Sequence, residues 1–206
     1  MLIQSIKSKG YLWIKNLMSK EITKTSPGSI SYLLYGSKPS DQSIFIKMGR
    51  FGEFLTKEMI DSNPNFELLD CGVQSVNEKK KDIDLLFRYS SKSEPYLNNK
   101  IIYYRELKGN IELDTEKIPA TIEKCKVIKS FLQSKYPDYI INYGILNWSV
   151  YNRDILIKGL NNIKAFEKNG IKIDHFSDFL QIMDIEWNKD DFYNYFREIG
   201  NKINNF

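Results

Sequence analysis

Two segments in the middle of the chain, KDIDLLF at 81–87 and IIYYRELKGN at 101–110, are largely apolar with charge at alternate positions, the pattern of strands with two unlike faces. Alternation puts Ile83, Leu85 and Phe87 on one face and Asp82 and Asp84 on the other. In the second segment it sets Glu106 and Lys108 together, opposite Leu107. The intervening SSKSEPYLNN at 90–99 has the turn composition of a long hairpin connection, and hairpin pairing would bring the acidic face against Glu106. FELLDC at 66–71 predicts a strand before this pair, followed by a turn at Gly72 and a solvated turn at 77–81, NEKKK. Beyond Lys108 the chain turns through Gly109 and Asn110. A helix starting at Asp114, Thr115 or Pro119 then carries Thr121, Ile122, Cys125, Ile128, Phe131 and Leu132. YIINYGIL at 139–146 predicts an interior strand, parallel to a core strand because it follows a crossover helix.

The flanks read as helix and loop. Residues 1–20 have a rough amphipathic pattern broken by Gly10, expected as a short helix packed on the body or an arm toward a partner. Residues 21–40 predict loop with one short strand at 31–35. Ser40 and Asp41 can cap a helix bearing Ile44, Met48, Phe51, Leu55 and Met59 and ending near Asp61. Helices are expected over 155–169, 175–183 and 190–203, with Asp190 and Asp191 at a cap and Phe192, Tyr193, Tyr195 and Phe196 as packing face. The order helix, three strands, helix, strand predicts an α/β (α+β) fold with a central mixed sheet flanked by helices. The expected organisation is one domain, residues 1–206, with its core at about 40–150 and with an amino-terminal arm (1–39) and carboxy-terminal helices (151–206) as elaborations.

Composition narrows the function. At 206 residues, 42% apolar and 27% charged, the chain has ordinary globular make-up. No apolar run spans a bilayer, and Lys7, Lys9, Lys15 and Lys20 interrupt any secretory segment, so a cytoplasmic protein without a membrane partner is expected. Cys71 and Cys125 lack zinc-site spacing and are expected as reduced thiols. His175, the only histidine, has no Ser or Cys nucleophile motif near it and is expected at the surface or at a cap, which sets histidine-based hydrolysis aside. There is no G-x-x-x-x-G-K-[ST] motif, so no nucleotide cofactor is expected. Residues 1–60 hold nine Lys/Arg against four Asp/Glu, a balance of +5 that leaves −1 for the rest of the net +4. That asymmetry fits a polyanion partner and equally fits the Lys- and Asn-rich drift of AT-rich coding sequence.

The remaining signal is chemical. Mg2+ takes oxygen ligands and is commonly held by one or two carboxylates, with water and phosphate filling its other positions. Asp84, Glu106 and Lys108 would therefore meet the needs of metal-assisted phosphodiester hydrolysis, the lysine orienting water or stabilising developing charge. The bland alternative is a set of solvated strand ends or an ion pair. Asp82, next to the NEKKK run, is the weaker of the two aspartates. Asp84, then 21 intervening residues, then Glu106-Leu107-Lys108, resembles the signature of the PD-(D/E)xK nucleases, with Ile83 where the nominal motif has proline. The resemblance covers about residues 45–150. It implies a restriction-endonuclease-like core, with Asp84 and Glu106 holding Mg2+ (or Mn2+ as substitute), Lys108 as a catalytic residue, and Glu53 as a further acid from the preceding helix. For a short chain without an ATP-binding motif it implies a type II restriction endonuclease acting on double-stranded DNA. A Holliday-junction resolvase or repair nuclease of the same fold is the alternative, and a noncatalytic DNA-binding module is the rival of another class. Candidate DNA contacts are Arg50, Lys57, Asn110, Lys117, Lys124, Asn147 and Arg153. One site cuts one strand, so a homodimer is expected for a double-strand break.

Overall fold

In the computed structural model, which describes residues 2–22, 33, 41–93, 100–111 and 115–205, the helices are α1 (Leu2–Ile22), α2 (Asp41–Asp61), α3 (Ile118–Lys135), α4 (Leu160–Lys168), α5 (Phe176–Met183) and α6 (Lys189–Asn204). The strands are β1 (Phe66–Leu68), β2 (Gly72–Val76), β3 (Lys79–Ile83), β4 (Leu85–Tyr89), β5 (Ile101–Lys108), β6 (Ile140–Asn147) and β7 (Lys172–His175). The expected strand at 31–35, apart from Leu33, and the candidate caps Ser40 and Asp114 lie outside the described residues. The chain divides into two compact units, residues 56–186, and residues 1–55 with 187–206. Beyond the expected core end at about 150, α4, β7 and α5 belong to the sheet unit, and residues 41–55 of α2 belong to the helical unit.

The sheet unit is α+β, with a mixed five-stranded sheet in the order β1-β4-β5-β6-β7 flanked by helices. β1 and β5 run antiparallel to β4, whereas β5, β6 and β7 are mutually parallel. Parallel neighbours need crossovers, and α3 and α4 supply them. β5 is covered on both faces, which explains its unbroken IIYY run. On one side Ile102 and Tyr104 join Ile118, Cys125, Ile128 and Leu132 of α3 and Phe166 of α4. On the other, the Tyr103 ring stacks on Phe87 at 4.9 Å, and Phe87 meets Phe179 of α5 edge-on at 6.0 Å.

The expected single strand over 81–87 is two strands. β3 leaves the large sheet and pairs with β2 in a two-stranded ribbon, whose turn at Asn77 and Glu78 has φ of +49° and +66°. That conformation matches the twist of a tight hairpin, so only these two residues form the turn expected over 77–81. Lys79–Lys81 are strand residues. The cause of the break is Asp84, whose Oδ2 accepts the Leu107 N–H at 2.8 Å. The β4–β5 register ends at Leu85 opposite Arg105, and beyond it a side-chain oxygen takes the N–H that the ladder would otherwise use. Alternation fails across the break: Ile83 shares its cluster with Leu86, not with Leu85 and Phe87.

In the helical unit, α1 continues through Gly10. A Cβ there would overlap the Tyr195 hydroxyl and lie 3.3 Å from the Phe51 ring, so the glycine permits a close approach of α6. Lys7 pairs with Asp191 at 2.5 Å and sits 5.5 Å over the Trp187 ring, which spends one of the amino-terminal lysines inside the fold. Asn188 caps α6 by accepting the Asp191 N–H at 2.8 Å, and Phe192, Tyr195, Ile199 and Ile203 form its buried face. Gly10→Ala should lose about 1–2 kcal/mol in chemical denaturation, because overpacking outweighs the helix propensity gained. Adding Tyr195→Phe should recover much of the loss; a Gly10→Ala protein more stable than wild type would show that the contact yields freely.

Candidate functional site

Three elements of the sheet unit converge on one cluster. Asp84 occupies the break between β3 and β4, Glu106 and Lys108 project from the same face of β5, and Lys124 reaches in from α3. Lys124 Nζ lies 2.5 Å from Glu106 Oε2 and 3.4 Å from Asp84 Oδ1. Lys108 Nζ stands 3.9 Å from the other Glu106 oxygen, Oε1. Asp84 is held by the Leu107 N–H, and Tyr104 Oη donates to Glu106 Oε2 at 3.3 Å. Each carboxylate thus has one oxygen on the shared ammonium and one on a separate partner.

The electrostatics follow from burial. Glu106 has only 8% of its side chain exposed, and burial raises its pKa; the nearby Asp84 carboxylate raises it further, while Lys124 and Lys108 oppose both. Burial works against the Lys124 ammonium, yet the carboxylates of Glu106 and Asp84 outweigh it and raise its pKa. The Glu106 shift is thus driven first by burial, and the Lys124 shift by the two carboxylates against burial. Tyr104 is pushed well above the usual phenol range by burial and then by Glu106, so it remains a neutral donor. Cys125, buried alongside, is raised to about 12 by burial, and neither cysteine is in a disulfide.

The donor set suits a hard divalent cation. Two carboxylate oxygens from different elements converge on one cationic nitrogen, the kind of oxygen pair that hard divalent cations take. Among the described residues no group of three or more His, Cys, Asp or Glu could hold a metal, so two carboxylates are what the protein offers here.

The other candidates are dispersed. Asp82 is exposed on the ribbon, paired with Val73. Arg50 and Glu53 lie on the part of α2 in the helical unit, exposed and half-buried respectively, and Lys57 is half-buried farther along that helix in the sheet unit. Asn110 and Lys117 are exposed near the carboxyl end of β5 and the start of α3. Arg153 is also exposed and pairs with Glu167 at 2.7 Å. Lys124 does not face outward as expected of a DNA contact, because the two carboxylates draw its ammonium inward. Asn147 is fully buried, which removes it as a reader of base edges. A Cβ at Gly109 would lie 3.3 Å from the buried Trp148 ring, so the glycine leaves room for it. His175 does cap, its N–H donating to Asp178 Oδ2 at 2.7 Å, but it is only 2% exposed.

Sequence reasoning missed Lys124 as a member of the cluster. Helical spacing was the available signal: Thr121, Cys125 and Ile128 face the sheet, and Lys124 flanks that stripe. No helix among the described residues is long and apolar enough to cross a membrane. No protein-family model matches the chain, and searches of curated proteins and of solved structures return no match.

Proposed function

We propose that this chain is a divalent-metal-dependent endonuclease that hydrolyses phosphodiester bonds in double-stranded DNA, in its specific form a type II restriction enzyme working as a homodimer. The observation that carries this reading is the meeting of Asp84 and Glu106 oxygens on one ammonium, 3.4 and 2.5 Å away, with Lys108 on the same strand face as Glu106. The chain path is compatible with the core that the motif implies: in the large sheet β1, β4 and β5 are antiparallel, and a crossover helix leads from β5 to the parallel β6.

Asp84 and Glu106 would hold Mg2+, which when bound supplies Lewis acidity toward the phosphoryl oxygens and lowers the pKa of water. The Leu107 N–H keeps Asp84 turned toward Glu106, and the Tyr104 hydroxyl steadies Glu106. Lys108 is placed to orient the attacking water and to stabilise charge growing on the phosphoryl oxygens. Exposed Asn110 and Lys117 flank the cluster in sequence and are candidates for phosphate contact.

Purified protein should convert supercoiled plasmid to cut forms in Mg2+ or Mn2+ and leave it intact in EDTA. Ends mapped to one repeated sequence support the restriction reading, and cutting confined to branched DNA would replace it with a resolvase. DNA that is bound but intact in both metals would reduce the chain to a binding module. Light scattering should report twice the mass of one chain; a strict monomer that yields only nicked circles would remove the homodimer.

A further inference from the structure

Lys124 gives the site a cation of its own, and we infer that it is an internal competitor for the metal, holding the DNA-free site against divalent ions. The inference rests on the nuclease reading above and concerns how that site is loaded. Of the four carboxylate oxygens, Asp84 Oδ2 is engaged by the Leu107 N–H and Glu106 Oε1 faces Lys108. The two that face a common point are Asp84 Oδ1 and Glu106 Oε2, and the Lys124 ammonium occupies it. An ion bridging both carboxylates must therefore displace Lys124, not merely add to the cluster.

Charge counting points the same way. Asp84 and Glu106 are matched by Lys108 and Lys124, so the cluster is neutral as it stands. Adding a divalent ion alone leaves an excess of positive charge where Lys108, Lys124 and Glu106 side chains are only 19%, 20% and 8% exposed. Repulsion at these separations is strong because water screens it poorly. A DNA phosphate brings compensating negative charge, so metal and DNA should load together. Lysine suits such a role: its charge is compact and its four-carbon stem lets it leave without disturbing the backbone of α3.

The test is Mn2+ binding to the DNA-free chain, read from the electron paramagnetic resonance signal of the unbound ion. Wild type, Lys124→Met, Lys124→Arg and the double variant Asp84→Asn/Glu106→Gln are compared. Lys124→Met should bind at least tenfold more tightly than wild type, Lys124→Arg should stay weak, and the double variant should lose the site. A second readout serves if Lys124→Met is less stable, because Mn2+ should then raise its melting temperature more than it raises that of wild type. Equal or weaker Mn2+ binding by Lys124→Met overturns the competitor role while leaving the metal site standing. No difference between any of these proteins and the double variant overturns the metal site itself, and the competitor role with it.

Discussion

Glu106→Gln and Lys108→Ala should both abolish plasmid cleavage, and for separable reasons. In the proposed site Glu106 would contribute a ligand oxygen, so its loss should weaken metal binding as well as lower the cutting rate by about 10²–10³-fold or more. Without metal, Glu106→Gln should bind DNA at least as tightly as wild type, since a carboxylate that repels phosphate has gone. Lys108 stands 3.9 Å from Glu106 Oε1, and its assigned work is on water and on the phosphoryl group. Lys108→Ala should therefore lose cutting to a similar degree while retaining both Mn2+ and DNA binding. Gel-shift and metal titrations on the two variants distinguish these outcomes. A Lys108→Ala enzyme that cuts normally would reassign its role, with Lys124 the next candidate.

The largest effect on stability is expected away from that cluster, at Asp174. Arg105 and Asp174 are each about 1% exposed, with Arg105 Nε donating to Asp174 Oδ2 at 2.7 Å. The rest of the guanidinium donates to the carbonyls of Tyr104 and Asn142 and to Asn142 Oδ1. Asp174→Ala leaves this buried cation without a counter-ion and should cost about 3–5 kcal/mol in chemical denaturation. The double variant Arg105→Met/Asp174→Leu should recover much of that, because an apolar pair avoids the desolvation of two charges. A single variant within about 0.5 kcal/mol of wild type, the range of ordinary surface substitutions, would mean that water reaches Arg105.

The same two residues show why part of the fold was legible and part was not. The E-x-K alternation on β5 and the apolar run of β6 are local signals, and both strands stand close to where those patterns put them. β7 is only four residues long, its last two residues are the buried polar Asp174 and His175, and His175 reads locally as the start of a helix. Its membership of the sheet depends on pairing with β6, which no local pattern reveals. The break at Asp84 was hidden for a similar reason: KDIDLLF alternates well enough to pass as one strand, and only the bond to the Leu107 N–H splits it. That Asp84, Glu106 and Lys108 lie near one another was legible from residue type and spacing. Lys124 required the packing of α3 on the sheet, which turns a lysine beside the helix's buried stripe toward two carboxylates.

If Asp84 and Glu106 together hold the ion that drives phosphodiester hydrolysis, wild type and Asp84→Asn/Glu106→Gln should differ on supercoiled plasmid in Mg2+. Both proteins should be prepared identically and shown to be folded by circular dichroism. Wild type should yield cut plasmid, the double variant none, and wild type in EDTA none. Equal cutting by the two proteins, or intact plasmid with wild type in both Mg2+ and Mn2+, would contradict that role for the two carboxylates.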